Sequence, residues 1–119
     1  MKKVLVVDDS GFMRTLIKKH LKFLDVEVIG EAEDGKEAIE KYIELNPDIV
    51  TLDLAMLDHD GIEALEGIMG HDPNAKVIIV ASTAGQNAVV DEAKALGAHA
   101  IISKPLKDDA FVNAIKELL

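Results

Sequence analysis

The chain has no cysteine and no tryptophan, and only one tyrosine, three phenylalanines and three prolines among 119 residues. Without cysteine there is no disulfide framework, no thiolate metal site and no cysteine nucleophile, so any chemistry must come from oxygen and nitrogen groups. Aromatic residues at 3% leave little to stack a flavin ring. No apolar stretch approaches the ~20 residues a membrane span needs. The start Met1-Lys2-Lys3-Val4 leads into two aspartates rather than a cleavable signal, so a cytoplasmic protein with no membrane insertion is expected. Positive charge is also scarce, with 13 basic against 22 acidic side chains and a net charge of −9. Such a balance repels a phosphate backbone and argues against direct nucleic-acid binding. The signs are segregated, since residues 1–22 carry +4 and the rest −13.

What is present is apolar sequence in short runs. Hydrophobic residues make up 49% of the chain, and the length suits one domain, residues 1–119, with an ordinary core. The runs at residues 4–7, 49–52, 77–81 and 100–102 are β-branched and nearly unbroken, as in parallel strands covered on both faces. Residues 26–32 are interrupted by Glu27 and Glu31, which places that strand nearer a sheet edge. Between the runs, apolar residues recur at three and four: Met13, Leu16, Ile17, Leu21, Leu24; Ala38, Ile39, Tyr42, Ile43; Leu65, Ile68, Met69; Val89, Ala93, Leu96; and Phe111, Ala114, Ile115, Leu118. These are helix faces, stopped at Asn46-Pro47, Asp72-Pro73-Asn74 and Gly97. Five strand–helix units with right-handed crossovers give an α/β, doubly wound, five-stranded parallel sheet. Ligands of such sheets bind at the carboxyl ends of the strands.

Charged and hydroxyl residues stand at those ends: Asp8 and Asp9 after the first run, Asp53 after the third, Ser82 after the fourth and Lys104-Pro105 after the fifth. Carboxylates ~5 Å apart at an effective dielectric of about 20 repel by on the order of 3 kcal/mol per pair. A hard divalent cation held by carboxylate, carbonyl and water oxygens relieves that repulsion, and Mg2+ leaves room for phosphate oxygens. Lys104 adds a second positive point, and the Ser82 hydroxyl is placed to hydrogen-bond a phosphoryl oxygen. A cation, a lysine and a hydroxyl around one aspartate make a site for in-line attack of a carboxylate on phosphorus, giving an aspartyl phosphate. Asp53, solitary and central, is the best nucleophile, and Asp8 and Asp9 are better metal ligands. Taken singly, an aspartate after a strand is more often a turn former or a helix cap, as Asp9 and Ser10 could each be. The four strand-end charges together outweigh that reading.

The set Val7-Asp8-Asp9-Ser10, Asp53 followed by Met56 and Gly61, Ser82-Thr83-Ala84 and Lys104-Pro105 resembles the receiver domain of bacterial response regulators along the whole chain. Gly11-Phe12-Met13-Arg14 most resembles the stand-alone chemotaxis receivers of the CheY type, with flavodoxin-like strand order 2-1-3-4-5. The resemblance implies phosphorylation of Asp53 by a histidine kinase. It implies that Mg2+ is ligated by Asp9, Asp53 and the backbone carbonyl of Ala55, and by Asp8 through water. It assigns the phosphoryl contacts to Lys104 and to Ser82, with Thr83 as the other candidate for the hydroxyl. Output would pass to a downstream target such as the flagellar switch. The alternative is a receiver cut from a methylesterase or transcriptional regulator.

The sequence leaves the family pattern at Leu57, where a proline is usual, and at Ile101, often an aromatic. Ala55 and Ala84 bring no polar group to orient water, so slow dephosphorylation is expected. Arg14, Lys18 and Lys22 form a stripe at four-residue spacing that is either solvated or a docking face. Histidines 20, 59, 71 and 99 lack metal-ligand spacing. A haloacid-dehalogenase-type phosphatase would need a second aspartate where Ala55 stands, and neither G-x-G-x-x-G nor G-x-x-x-x-G-K-[ST] occurs. The protein reads as a switch rather than an enzyme.

Overall fold

Five parallel strands, β1 (Lys2–Val7), β2 (Val26–Ala32), β3 (Ile49–Asp53), β4 (Val77–Ala81) and β5 (Ala100–Ser103), form one sheet in the order β2-β1-β3-β4-β5. The computed structural model describes residues 1–54, 60–81, 87–106 and 109–119. The strands alternate with helices α1 (Gly11–Leu21), α2 (Gly35–Leu45), α3 (Asp60–His71), α4 (Asn87–Ala95) and α5 (Ala110–Lys116). The alternation predicted from the sequence pattern and the strand order implied by the receiver resemblance are both observed, and the interrupted strand β2 is at the edge.

Each face of the sheet carries its own core. Alternation along β1 sends Leu5 and Val7 to one side, where they pack with Val50, Leu52, Val77, Ile79, Ala38, Leu65 and Ala93 beneath α2, α3 and α4. Val4 and Val6 point to the other, meeting Ile49, Ile78, Val80, Ile17, Leu21, Phe111 and Ile115 beneath α1 and α5. At ~25 cal/mol per Å2, each fully buried Leu, Ile or Val contributes about 1.5–3 kcal/mol, so the sheet position is fixed from both sides.

Caps are built as the turn residues predict. The Ser10 hydroxyl accepts from the Met13 N–H, and Asp34 accepts from the Glu37 N–H, closing the first turns of α1 and α2. Asn46 ends α2 in the left-handed region at φ 48°. Gly97, at φ 105°, lets the Gly97 and Ala98 N–H groups return to the Lys94 and Ala93 carbonyls, which tucks α4 under the start of β5.

Two expectations fail at the periphery. Residues 100–102 read as a buried strand, but only Ile102 is buried, while Ala100 and Ile101 are half-buried; β5 is the second sheet edge and lacks a neighbour on one side. Ile43 sits at helical spacing with Ile39 yet is 53% exposed, because α2 turns a narrower apolar stripe to the sheet than four consecutive matches imply.

Tyr42 ties α2 to the end of α3: its hydroxyl donates to Asp72 Oδ2 at 3.0 Å, and its ring meets His71 edge-on, centroids 6.1 Å apart. Burial, then the Asp72 carboxylate, push the phenol from 10.0 up to about 12. The folded chain therefore holds this proton more tightly than the unfolded chain. Its contribution to stability is complete below 10 and is lost as pH rises towards 12. Tyr42 is the sole tyrosine, so ultraviolet titration of the folded protein should show one phenolate transition near 12, and a midpoint at 10 would break the link.

Candidate phosphoacceptor site

The strand register brings the charges together. Val7 pairs with Leu52, so Asp8 and Asp53 emerge side by side from β1 and β3. Asp53 in turn pairs with Val80 on β4, and Ala81 with Ser103 on β5. The Lys104 N–H then donates to the Ala81 carbonyl at 2.8 Å, which carries the Lys104 side chain back over the ends of the central strands. Its Nζ lies 3.2 Å from Asp53 Oδ1 and 3.7 Å from Asp8 Oδ2.

Asp8, Asp9 and Asp53 each offer a carboxylate oxygen, and these atoms lie within 4.8 Å of one another. Asp8 is fully buried and Asp53 is 3% exposed, whereas Asp9 faces solvent. Asp8 Oδ1 accepts the Ser10 N–H at 2.9 Å. Asp8 Oδ2 is buried without a hydrogen-bond partner among the described residues. Burial raises the Asp8 carboxyl above its ordinary 3.8; the Ser10 N–H opposes this, and the nearby Asp53 charge adds to it. An orphaned carboxylate oxygen facing two further carboxylates is a donor set that fits a hard divalent cation, and the residues suit Mg2+.

Asp8, Asp9, Asp53 and Lys104 thus converge as the sequence indicates. Ala55 and Ser82 lie outside the described residues, as do Met56, Leu57, His59, Thr83 and Ala84. Ile101 packs against the core beneath α2, α3 and α4.

The basic stripe of α1 is partly engaged within the chain. Arg14 Nε donates to Glu31 Oε1 at 3.0 Å, Lys18 Nζ donates to Glu31 Oε2 at 2.9 Å, and Arg14 Nη1 donates to the Asp8 backbone carbonyl at 2.8 Å. Lys41 Nζ caps the Glu31 carbonyl. Arg14 and Lys18 thus pair with a carboxylate within the chain, while Lys22 Nζ lies 5.7 Å over the Phe23 ring. The Lys18 hydrogen bond, more than burial opposes it, holds the Glu31 carboxyl below its ordinary value. Glu31 was visible only as an interruption of β2. Its role requires knowing that β2 lies beside β1.

The sequence profile of the response regulator receiver domain matches residues 4–116. The chain belongs to the receiver family. It is 50% identical to the chemotaxis protein CheY of Listeria monocytogenes, with 98% of each chain covered. To CheY of Thermotoga maritima it is 49% identical over 98% of this receiver and 97% of that one. A receiver within the Thermotoga maritima protein-glutamate methylesterase is 44% identical, over 87% of this chain but 30% of that enzyme. Among solved structures, CheY in the CheX–CheY–BeF3–Mg2+ complex of Borrelia burgdorferi superposes with a TM-score of 0.88 at 35% identity, covering 98% and 88% of the two chains. This receiver is closely related to CheY across its fold, and its five-stranded order is that of the family.

Proposed function

We propose that the chain is a Mg2+-dependent phosphoacceptor switch of chemotaxis signalling, with Asp53 as the acceptor. The observation that carries this reading is the pairing of Lys104 Nζ with Asp53 Oδ1 at 3.2 Å beside the buried Asp8 Oδ2, which has no hydrogen-bond partner among the described residues. A cation held by these carboxylates would, with the Lys104 ammonium, flank the Asp53 carboxylate. Mg2+ would be held by Asp9, Asp53 and the Ala55 carbonyl, with Asp8 acting through water; when bound, it neutralises charge on the carboxylates and on incoming phosphoryl oxygens.

Asp53 is confined by β1 and β4 on either side, so its carboxylate is presented in one direction to a phosphohistidine. Its oxygen forms the new O–P bond as the histidine N–P bond breaks in line, and the imidazole leaves with the electron pair and takes a proton. Lys104 follows the phosphoryl oxygens once they arrive, and Ser82 supplies a hydroxyl to the same group. The added charge of about −1.5 to −2 shifts the population of α4 and its flanking segments. Output is by binding another protein, a flagellar-switch component or a similar target, and the phosphodonor is a histidine kinase. A cytoplasmic location fits this role; no described helix is long and apolar enough to cross a membrane. The methylesterase relative, matched over 30% of its length, makes the receiver of a longer regulator the second reading.

The test uses acetyl phosphate with and without Mg2+. A single phosphoryl adduct, dependent on Mg2+ and mapped to Asp53 by borohydride trapping, is expected. An adduct mapped elsewhere, or one indifferent to Mg2+, would sink the assignment.

A further inference from the structure

We infer that Arg14 is a positioning residue for the cation site, holding the Asp8–Asp9 peptide from below against the edge strand β2. The inference rests on the phosphoacceptor reading, and deepens it by naming what orients the first two ligands.

Arg14 is 16% exposed, and its guanidinium is shared between two elements. Nη1 donates to the Asp8 carbonyl at 2.8 Å while Nε donates to Glu31 Oε1 at 3.0 Å, and Nη2 lies 3.9 Å from Glu33 Oε1. Lys18 steadies the second Glu31 oxygen at 2.9 Å, and Lys41 caps the Glu31 carbonyl. The anchor end is therefore fixed by three cations on two helices, and the fork transmits that fixity to one carbonyl.

That carbonyl matters because of peptide planarity. The Asp8 C=O shares a plane with the Asp9 N–H, so holding the oxygen sets where the Asp9 Cα lies and the cone its carboxylate can sweep. Asp9 needs this help. It is exposed, and it has no hydrogen-bond or ion-pair partner among the described residues. Asp8, by contrast, is already held through its own side chain by the Ser10 N–H and through its N–H by the Ala32 carbonyl. A planar five-donor guanidinium spans the carbonyl and the carboxylate at once, which a single ammonium cannot do.

Charge and geometry predict opposite signs, which makes the inference testable. Arg14 is a cation close to a cation site, so by Coulomb's law alone its removal should tighten Mg2+ binding. If it positions the ligands, removal should weaken binding, in the range of about 10–100-fold seen for supports of metal ligands.

Mg2+ affinity would be measured by calorimetry and by amide shifts of Asp9 and Ser10, alongside the metal-free melting temperature, for wild type, Arg14→Gln, Arg14→Lys and Glu31→Gln. Arg14→Gln is expected to bind Mg2+ about tenfold more weakly. Arg14→Lys, which keeps the charge, should also weaken binding severalfold. Affinity in Arg14→Gln equal to or tighter than wild type overturns the inference. Should that variant fail to fold, Glu31→Gln in high salt, where through-space charge effects are screened, decides: weakened binding supports positioning, and unchanged binding refutes it. Failure of the wild type to bind Mg2+ would instead bring down the phosphoacceptor reading itself, so the two are separable.

Discussion

Asp8→Asn should raise the melting temperature of the metal-free protein and, in the same molecule, weaken Mg2+ binding at least tenfold. The two effects come from one buried carboxylate. Asp8 is fully buried, one of its oxygens lacks a hydrogen-bond partner among the described residues, and Asp53 and Asp9 lie close by. A buried, incompletely paired polar group costs about 1–3 kcal/mol, and more when charged. Lys104 Nζ, 3.7 Å from the orphaned oxygen, offsets only part of this. Because burial lifts the Asp8 carboxyl above 3.8, the folded chain binds that proton more tightly than the unfolded chain does. The contribution of this group to metal-free stability is thus fully present below the ordinary value and is lost as pH rises through the folded one. Asparagine, never charged, should flatten this decline and add roughly 1–3 kcal/mol at neutral pH, several degrees for a chain of this size. Mg2+ acts the other way, because it stabilises the ionised wild type by binding only the folded form. Melting curves across pH, with and without Mg2+, check both arms. A variant less stable than wild type without metal would show that the carboxylate cluster is not under electrostatic strain.

Gly61→Ala is expected to destabilise the protein by about 3 kcal/mol or more and to abolish phosphoryl acceptance in whatever fraction still folds. A Cβ on Gly61 would lie 2.7 Å from the Asp53 carbonyl oxygen, 2.7 Å from Leu54 Cα and 2.8 Å from the Leu54 carbonyl. All three are backbone atoms, so no rotamer change relieves the overlap. Either α3 lifts from the sheet or the end of β3 moves, and the latter carries Asp53 out of line with Lys104. Gly70, in the same helix, has nothing within 4 Å of its would-be Cβ, so Gly70→Ala should instead gain up to about 1 kcal/mol from helix propensity. Chemical denaturation of the two variants side by side distinguishes close approach from helix propensity. Equal effects at both positions would refute the packing argument.

The layout of this receiver was legible wherever its signal was local. Strand runs, helical spacing and the Asn46, Asp72 and Gly97 stops are properties of neighbours in sequence, and the charged strand ends fall where parallel strands must end. Asp8, Asp9, Asp53 and Lys104 were therefore recoverable once the sheet was drawn. What escaped depends on distant pairs. The half-exposure of Ala100 and Ile101 follows from β5 being an edge, which an apolar run does not reveal. The ties from Arg14 and Lys18 to Glu31 span 17 and 13 residues, and turn a stripe that looked like a solvated or docking face into an internal brace.

The position of β3 has a dynamic consequence. It is paired on both sides, to β1 and β4, and all five of its residues are buried, whereas β5 has one neighbour and a single buried residue. Amides in the middle of the sheet exchange with solvent only through global unfolding, while an edge strand and the helix before it open locally at a fraction of that free energy. The proposed acceptor is thus mounted on the part of the chain expected to open last, beside elements expected to open first. A covalent mark on Asp53 can therefore redistribute the populations of α4 and β5 without loosening the strand that carries it.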